Sequence, residues 1–140
     1  MSFADYSSVK VGSIILLEDK YPCKLVEVLI SKPGKHGSSK KSVVGIDIIT
    51  DKKYTGLFRA SSIITVPIVN RQDYIIMNID GNQIELLDSK GETKTIKVST
   101  NSLVEEMEKL MAENSVQCTV MEVSFGSTVL YRIMNYKIDE

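Results

Sequence analysis

The sequence predicts a mainly β chain of two small domains, the second an OB-type barrel carrying one helix, and three observations support that reading. Short apolar runs alternate with polar residues and stop at Gly, Pro, Asn or Asp, as strands joined by turns do. A single segment, beginning near residue 102, changes to helical spacing. The charge balance reverses near residue 70.

Residues 13–17 form the first apolar, β-branched run. In 23–30, Cys23, Leu25 and the valines interleave with Lys24 and Glu27, the period of two of a half-buried strand. Residues 43–50 and 53–58 are further strands separated by the polar Asp51-Lys52 turn, and 63–66 is a fifth run stopped by Pro67. Short strands at such spacing argue for a small barrel or sandwich. A boundary falls at 67–71, because proline removes a ladder donor and biases its predecessor towards extended geometry. The expected domains are therefore 1–69 and 70–140.

In the second domain, 74–79 and 83–87 flank Asp80-Gly81-Asn82, a hairpin signal because Asp-Gly suits turns requiring positive φ. Another strand, 92–98, follows the turn at 88–91. Leu103, Val104, Met107, Leu110 and Met111 then recur at helical spacing, opposite Glu105, Glu106, Glu108 and Lys109. Ser102 and Glu105 have capping-box spacing, so the helix should cover about 102–113. Strands at 116–123 and 128–136 close the chain. Three strands, a helix and two strands is the order of a five-stranded OB barrel. Its methionines and aromatics should be core, and its acidic helix face solvated.

Composition narrows the function. A hydrophobic fraction of 43% and a mean hydropathy of -0.01 belong to a globular chain, not a disordered one. No apolar run approaches the ~20 residues that cross a bilayer. Residues 1–10 are too polar for a signal peptide and lack the Arg-rich pattern of a transit peptide, so a cytoplasmic location without membrane contact is expected. Cys23, Cys118 and the one histidine, His36, match no zinc spacing. No metal site is expected, and both cysteines read as core residues. Tryptophan is absent, so a stacking platform for single-stranded nucleic acid is poorly supplied.

The net charge of -1 conceals an asymmetry: residues 1–70 carry ten basic and six acidic residues, residues 71–140 seven and twelve. One half is suited to meet a polyanion. In the other, any phosphate contact would be local, at Lys94, Lys97 or Arg132. Four of the ten cations of the first half lie between Lys32 and Lys41.

Those four occupy Ser31-Lys32-Pro33-Gly34-Lys35-His36-Gly37-Ser38-Ser39-Lys40-Lys41, too polar for core and too rich in Gly and Pro for a strand interior. Gly34 and Gly37 permit positive φ on both sides of Lys35-His36, and Pro33 stiffens the approach. The result should be a long hairpin loop holding Lys35 outward. A phosphate-cradling P-loop is excluded, since position 29 is Leu, His36 follows the lysine and a strand comes next. An enzyme is disfavoured: His36 has no neighbouring carboxylate or nucleophile, and there is no Gly-x-Ser-x-Gly elbow. A solvated basic turn and a presented lysine both remain.

The stretch from Ser31 to Gly37 resembles the modification loop of the eukaryotic and archaeal translation factor 5A family, the hypusine-containing factors. The similarity extends to Pro22-Cys23-Lys24-Leu25-Val26-Glu27 before the loop, and to Val44-Gly45-Ile46-Asp47-Ile48 and Lys52-Lys53-Tyr54 after it. It covers nearly the whole chain, most strongly 20–56. The resemblance implies an N-terminal SH3-like barrel carrying the modification loop (31–41), then an OB-fold domain. It implies that Lys35 receives a 4-aminobutyl group from spermidine through deoxyhypusine synthase, with hydroxylation by deoxyhypusine hydroxylase in eukaryotes, and that no other cofactor is needed. Lys32, Pro33, Gly34, His36 and Gly37 would present it.

The implied partners are the ribosomal exit-tRNA site, large-subunit rRNA and the acceptor end of peptidyl-tRNA. There the long dication would steady the tRNA near the peptidyl-transferase centre, relieving stalls such as those at consecutive prolines and assisting termination. Lys32, Lys40 and Lys41 would contact RNA phosphates. Pro33 and Ser38-Ser39 are archaeal in character and residues 43–49 more eukaryotic, which leaves hypusine and deoxyhypusine both open. The alternative is an unmodified RNA-binding adaptor that uses the same basic loop.

Overall fold

The computed structural model describes residues 2–32, 39–98 and 103–139. Its strands are β1 (Ser2–Ala4), β2 (Ile14–Leu17), β3 (Tyr21–Ser31), β4 (Lys40–Asp47), β5 (Lys53–Arg59), β6 (Ile64–Val66), β7 (Ile68–Asp80), β8 (Gln83–Leu87), β9 (Thr93–Lys97), β10 (Val116–Phe125) and β11 (Thr128–Ile138). One helix, α1 (Leu103–Met111), precedes β10, and a 3-10 turn, Tyr6–Ser8, follows β1. The fold is mainly β, an SH3-like domain followed by an OB fold. The chain divides into two compact units, the first of Met1–Ile68 with Ser124–Ser127 and the second of Val69–Val123 with Thr128–Glu140.

In the first unit, β2, β3, β4 and β5 form an antiparallel sheet in chain order, and β1 pairs with β6. The core is Val9, Ile15, Leu17, Cys23, Leu25, Val43 and Ile64. Alternation dictates it: Cys23 and Leu25 point inward, Lys24 outward. A bulge then breaks the period, for Leu25 pairs with Gly45 but Glu27 pairs with Val44, leaving Val26 as the extra residue. Val26 is half exposed. Past the bulge, Val28 faces Val43 and the ladder runs out to Ser31 opposite Lys40.

Asp47 is the one buried charged side chain among the described residues. Its carboxylate accepts from the amides of Ile49 (2.8 Å) and Thr50 (3.3 Å), closing the β4–β5 turn. The β2–β3 turn places Glu18 and Asp19 at φ 53° and 59°, a left-handed pair formed without glycine.

The second unit's sheet runs β11-β10-β7-β8-β9, so the strand after the helix returns beside the first strand of the unit, as an OB barrel requires. The edges approach one another: the Lys94 ammonium on β9 lies 5.0 Å from the ring centre of Tyr131 on β11. Gly81 takes φ 61° in the two-residue loop between paired Asp80 and Gln83. Val104 and Met107 of α1 are buried with Ile84, Leu86, Val116 and Ile133, while Leu103, Leu110 and Met111 pack beside them. The acidic face is mostly exposed, yet Glu106 accepts a 2.5 Å hydrogen bond from the Tyr136 hydroxyl. Ser102, the expected cap, lies outside the described residues.

Candidate functional site

The segment singled out by the sequence joins β3 to β4, and its two roots are held by one antiparallel pair, Ser31 opposite Lys40. Pro33, Gly34, Lys35, His36 and Gly37 lie outside the described residues. Lys32, Ser39, Lys40 and Lys41 are described, and they divide into two kinds.

Register separates them. Val43 is buried, and two residues away Lys41 shares its face, with Ile30 and Phe58 as cross-strand neighbours. Lys40 takes the opposite face, in a row with Ser31 and Arg59. Lys32 and Arg59 are exposed and Lys40 half-buried, and among the described residues no ion pair neutralises any of the three. Like charges placed opposite one another repel, so a row holding Lys40 and Arg59 is suited to a multivalent anion. Arg59 was not among the candidates read from sequence, because only the β4–β5 register brings it beside Lys40.

Lys41 is differently employed. Its Nζ donates to the carbonyl oxygens of Tyr6 (2.9 Å) and Val9 (3.0 Å), and it sits 4.3 Å from the centre of the Tyr6 ring. The Tyr6 hydroxyl in turn lies 3.1 Å from Ser39 Oγ. Asp5 caps the 3-10 turn through the Ser7 amide at 3.1 Å. The Ser7 hydroxyl, with a smaller contribution from the Lys41 charge, holds the Asp5 carboxyl below its usual pKa.

The other cationic candidates differ in the same way. Lys94 lies 3.6 Å from Glu122 as well as over Tyr131. Burial works to lower its pKa, but the Tyr131 hydrogen bond and the Glu122 charge outweigh that and raise it. Lys97 is exposed. Cys23 and Cys118 are both buried, and burial with a nearby carboxylate, Asp47 or Asp73, pushes each thiol up to about 12. Among the described residues no group of three or more His, Cys, Asp or Glu side chains is arranged to hold a metal. No described helix is long and apolar enough to cross a membrane.

Comparison with known proteins places these features in a family. Residues 3–62 match the family described as "Translation initiation factor 5A-like, N-terminal". Residues 68–128 match "Eukaryotic elongation factor 5A hypusine, DNA-binding OB fold". The chain is 33% identical over 121 residues to translation initiation factor 5A of Caldivirga maquilingensis, covering 86% of this chain and 89% of that one. It is 35% identical over 88 residues to eukaryotic translation initiation factor 5A-1 of Saccharomyces cerevisiae, covering 63% of this chain and 55% of the yeast chain. A solved structure of an eif-5a family protein from Naegleria fowleri superposes with a TM-score of 0.78 at 29% identity, covering 98% of each chain.

Proposed function

The chain belongs to the translation factor 5A family, and from that premise we propose that it binds the ribosome as an elongation and termination factor through a modified Lys35. The observation that carries this reading is the basic segment 31–41, whose sequence resembles the family's modification loop and whose roots are pinned by Ser31 opposite Lys40. Lys40 and Arg59 on the outward face and the exposed Lys32 place positive charge at those roots, with no ion pair to any of the three among the described residues.

Aminobutyl transfer would break the carbon–nitrogen bond between the butyl chain and the secondary nitrogen of spermidine. It would form the corresponding bond to Lys35 Nζ and release 1,3-diaminopropane. The product side chain is longer and carries two cationic nitrogens, which suits the phosphates and 2′-hydroxyls of an RNA end. Bound in the exit-tRNA site against large-subunit rRNA, the side chain would extend towards the peptidyl-transferase centre and hold the acceptor end of peptidyl-tRNA. Fixing that end in a reactive geometry accelerates peptide transfer without the factor supplying a catalytic group. On this reading the protein is cytoplasmic and not an enzyme, and its modifying partners are deoxyhypusine synthase and, for the hydroxylated form, deoxyhypusine hydroxylase. A stalled polyproline message is the substrate on which it acts most visibly.

Intact mass and peptide mapping of the protein isolated from its own cells test the premise of the mechanism. Lys35 should carry one aminobutyl group, with or without one oxygen, and the modified form alone should restore synthesis through a polyproline stretch in reconstituted translation. Unmodified Lys35, or equal activity of the unmodified protein, would remove the mechanism. The adaptor alternative draws on the same outward cations. It predicts salt-dependent RNA affinity that hardly changes on Lys35→Ala.

A further inference from the structure

We propose that Lys41 is a positioning residue: it clamps the N-terminal turn Tyr6–Ser8 to the start of β4 and thereby fixes the root from which Lys35 is presented. This rests on the reading of Lys35 as a modified residue. The two lysines that adjoin in sequence, Lys40 and Lys41, thus do different things, one facing out with Arg59 and the other facing in with Phe58.

An inward lysine at the end of a barrel strand needs partners for its charge. Lys41 finds them in the Tyr6 and Val9 carbonyls and the Tyr6 ring. These partners are themselves tied down. Tyr6 O also accepts from the Val9 amide at 3.2 Å, and the Ser13 hydroxyl donates to Ser8 O at 2.8 Å. The segment after the turn is pinned to β3 by Gly12 N to Leu25 O (2.8 Å) and Leu25 N to Ser13 O (2.9 Å). Val9 is 1% exposed and belongs to the core. Lys41 is therefore anchored to the core from the far side of its own strand. The Tyr6 hydroxyl extends the clamp one step past the ladder, to Ser39. The root at residues 39–41 is held from three directions: Lys40 and Lys41 pair with β3 on one side and β5 on the other, and the N-terminal turn adds contacts to the Lys41 and Ser39 side chains.

A fixed root reduces the orientations a modifying enzyme must sample before the lysine enters its site, and preorganisation of this kind appears as tighter productive binding. The clamp should thus show in KM for the protein substrate, not in kcat.

The test compares wild type with Lys41→Met, Lys41→Arg and Tyr6→Phe in two measurements on the full chain. In amide exchange, Lys41→Met should speed exchange at residues 39–42 by about tenfold, the factor that ~1.4 kcal/mol represents, and leave 46–47 unchanged. With deoxyhypusine synthase and spermidine, Lys41→Met should raise KM for the protein several-fold while kcat stays within about twofold. Tyr6→Phe should have a smaller effect in both, and Lys41→Arg should restore most of the wild-type behaviour. Unchanged exchange at 39–42 overturns the clamp whatever the enzyme does. Faster exchange with unaltered KM overturns its positioning role. Wild-type protein that takes no aminobutyl group overturns the reading of Lys35, and this proposal with it.

Discussion

Gly45→Ala should destabilise the first unit by about 2 kcal/mol, and the distances around Gly45 explain why. A Cβ there would lie 2.7 Å from Cys23 Cβ, 3.1 Å from Leu17 Cδ1 and 3.4 Å from Leu25 Cδ2. Carbon atoms rest at ~3.5–4.0 Å, so the first contact is short by roughly 1 Å. Cys23 Cβ cannot yield by rotating, because it is fixed to the β3 backbone. Its strand must move away from β4 where Leu25 faces Gly45, beside the bulge. Overpacking of this kind costs about 1–3 kcal/mol, and a weakened ladder bond adds ~1 kcal/mol. Removing glycine's freedom from the unfolded chain returns ~0.4–1 kcal/mol.

The control is Gly56→Ala, whose nearest neighbours are the side-chain tips Leu17 Cδ2 at 3.1 Å and Val43 Cγ2 at 3.4 Å. Those tips can move, and the cost should stay under ~1 kcal/mol. Urea titration followed through amide resonances of Leu25 and Val43 reads the first unit directly. The midpoint for Gly45→Ala should fall by about 1 M, given slopes of ~1–3 kcal/mol per molar urea. A Gly45→Ala protein as stable as Gly56→Ala would refute the reasoning.

Met107→Ala removes a fully buried side chain beneath α1 and should cost about 2–5 kcal/mol, measured by the same titration on amides of β8 and α1. Native protein should not react with iodoacetamide at Cys23 or Cys118 at pH 8, because burial keeps both as neutral thiols; labelling without denaturant would contradict the buried placement. The thiols also set a direction with pH. Their ordinary pKa is 9.0 and their folded value about 12, so above pH 9 the unfolded chain releases protons that the folded one retains, and stability should fall between those values. Replacing both cysteines with alanine should make that fall shallower in urea titrations at a series of pH values.

The fold was legible where one local period persisted. Leu103, Val104, Met107, Leu110 and Met111 fix the face of α1, because helical spacing needs no partner to be recognised. The strands were legible in their apolar middles and less so at their ends. β7 starts at Ile68, well before the expected 74, because its first half, including Arg71, Gln72 and Asp73, is exposed and lacks an apolar rhythm. β1 is three residues long and too short to carry a pattern. At the site, the family motif identified the segment, and alternation back from the apolar Val43 is enough to put Lys41 and Lys40 on opposite faces. The structure adds the β4–β5 register that brings Arg59 beside Lys40. Lys41 reads as an RNA-contact candidate in the sequence because the partners that hold it, Tyr6 and Val9, lie more than thirty residues away.

The closed pair at Ser31 and Lys40 also bears on how this protein can change. Residues opposite one another in an antiparallel ladder lie only ~4.5–5.5 Å apart, so the barrel meets the intervening chain as a single fixed gap. Doubling the length of such a connection costs only ~0.6 kcal/mol in closure entropy, little against the stability of a domain. Insertions and deletions there are cheap for the scaffold, while the same edit inside the ladder would reverse the faces of Lys40 and Lys41. The barrel behaves as a socket: the ladder sets where the two ends of the segment stand, and its fold is nearly indifferent to the length of chain between them.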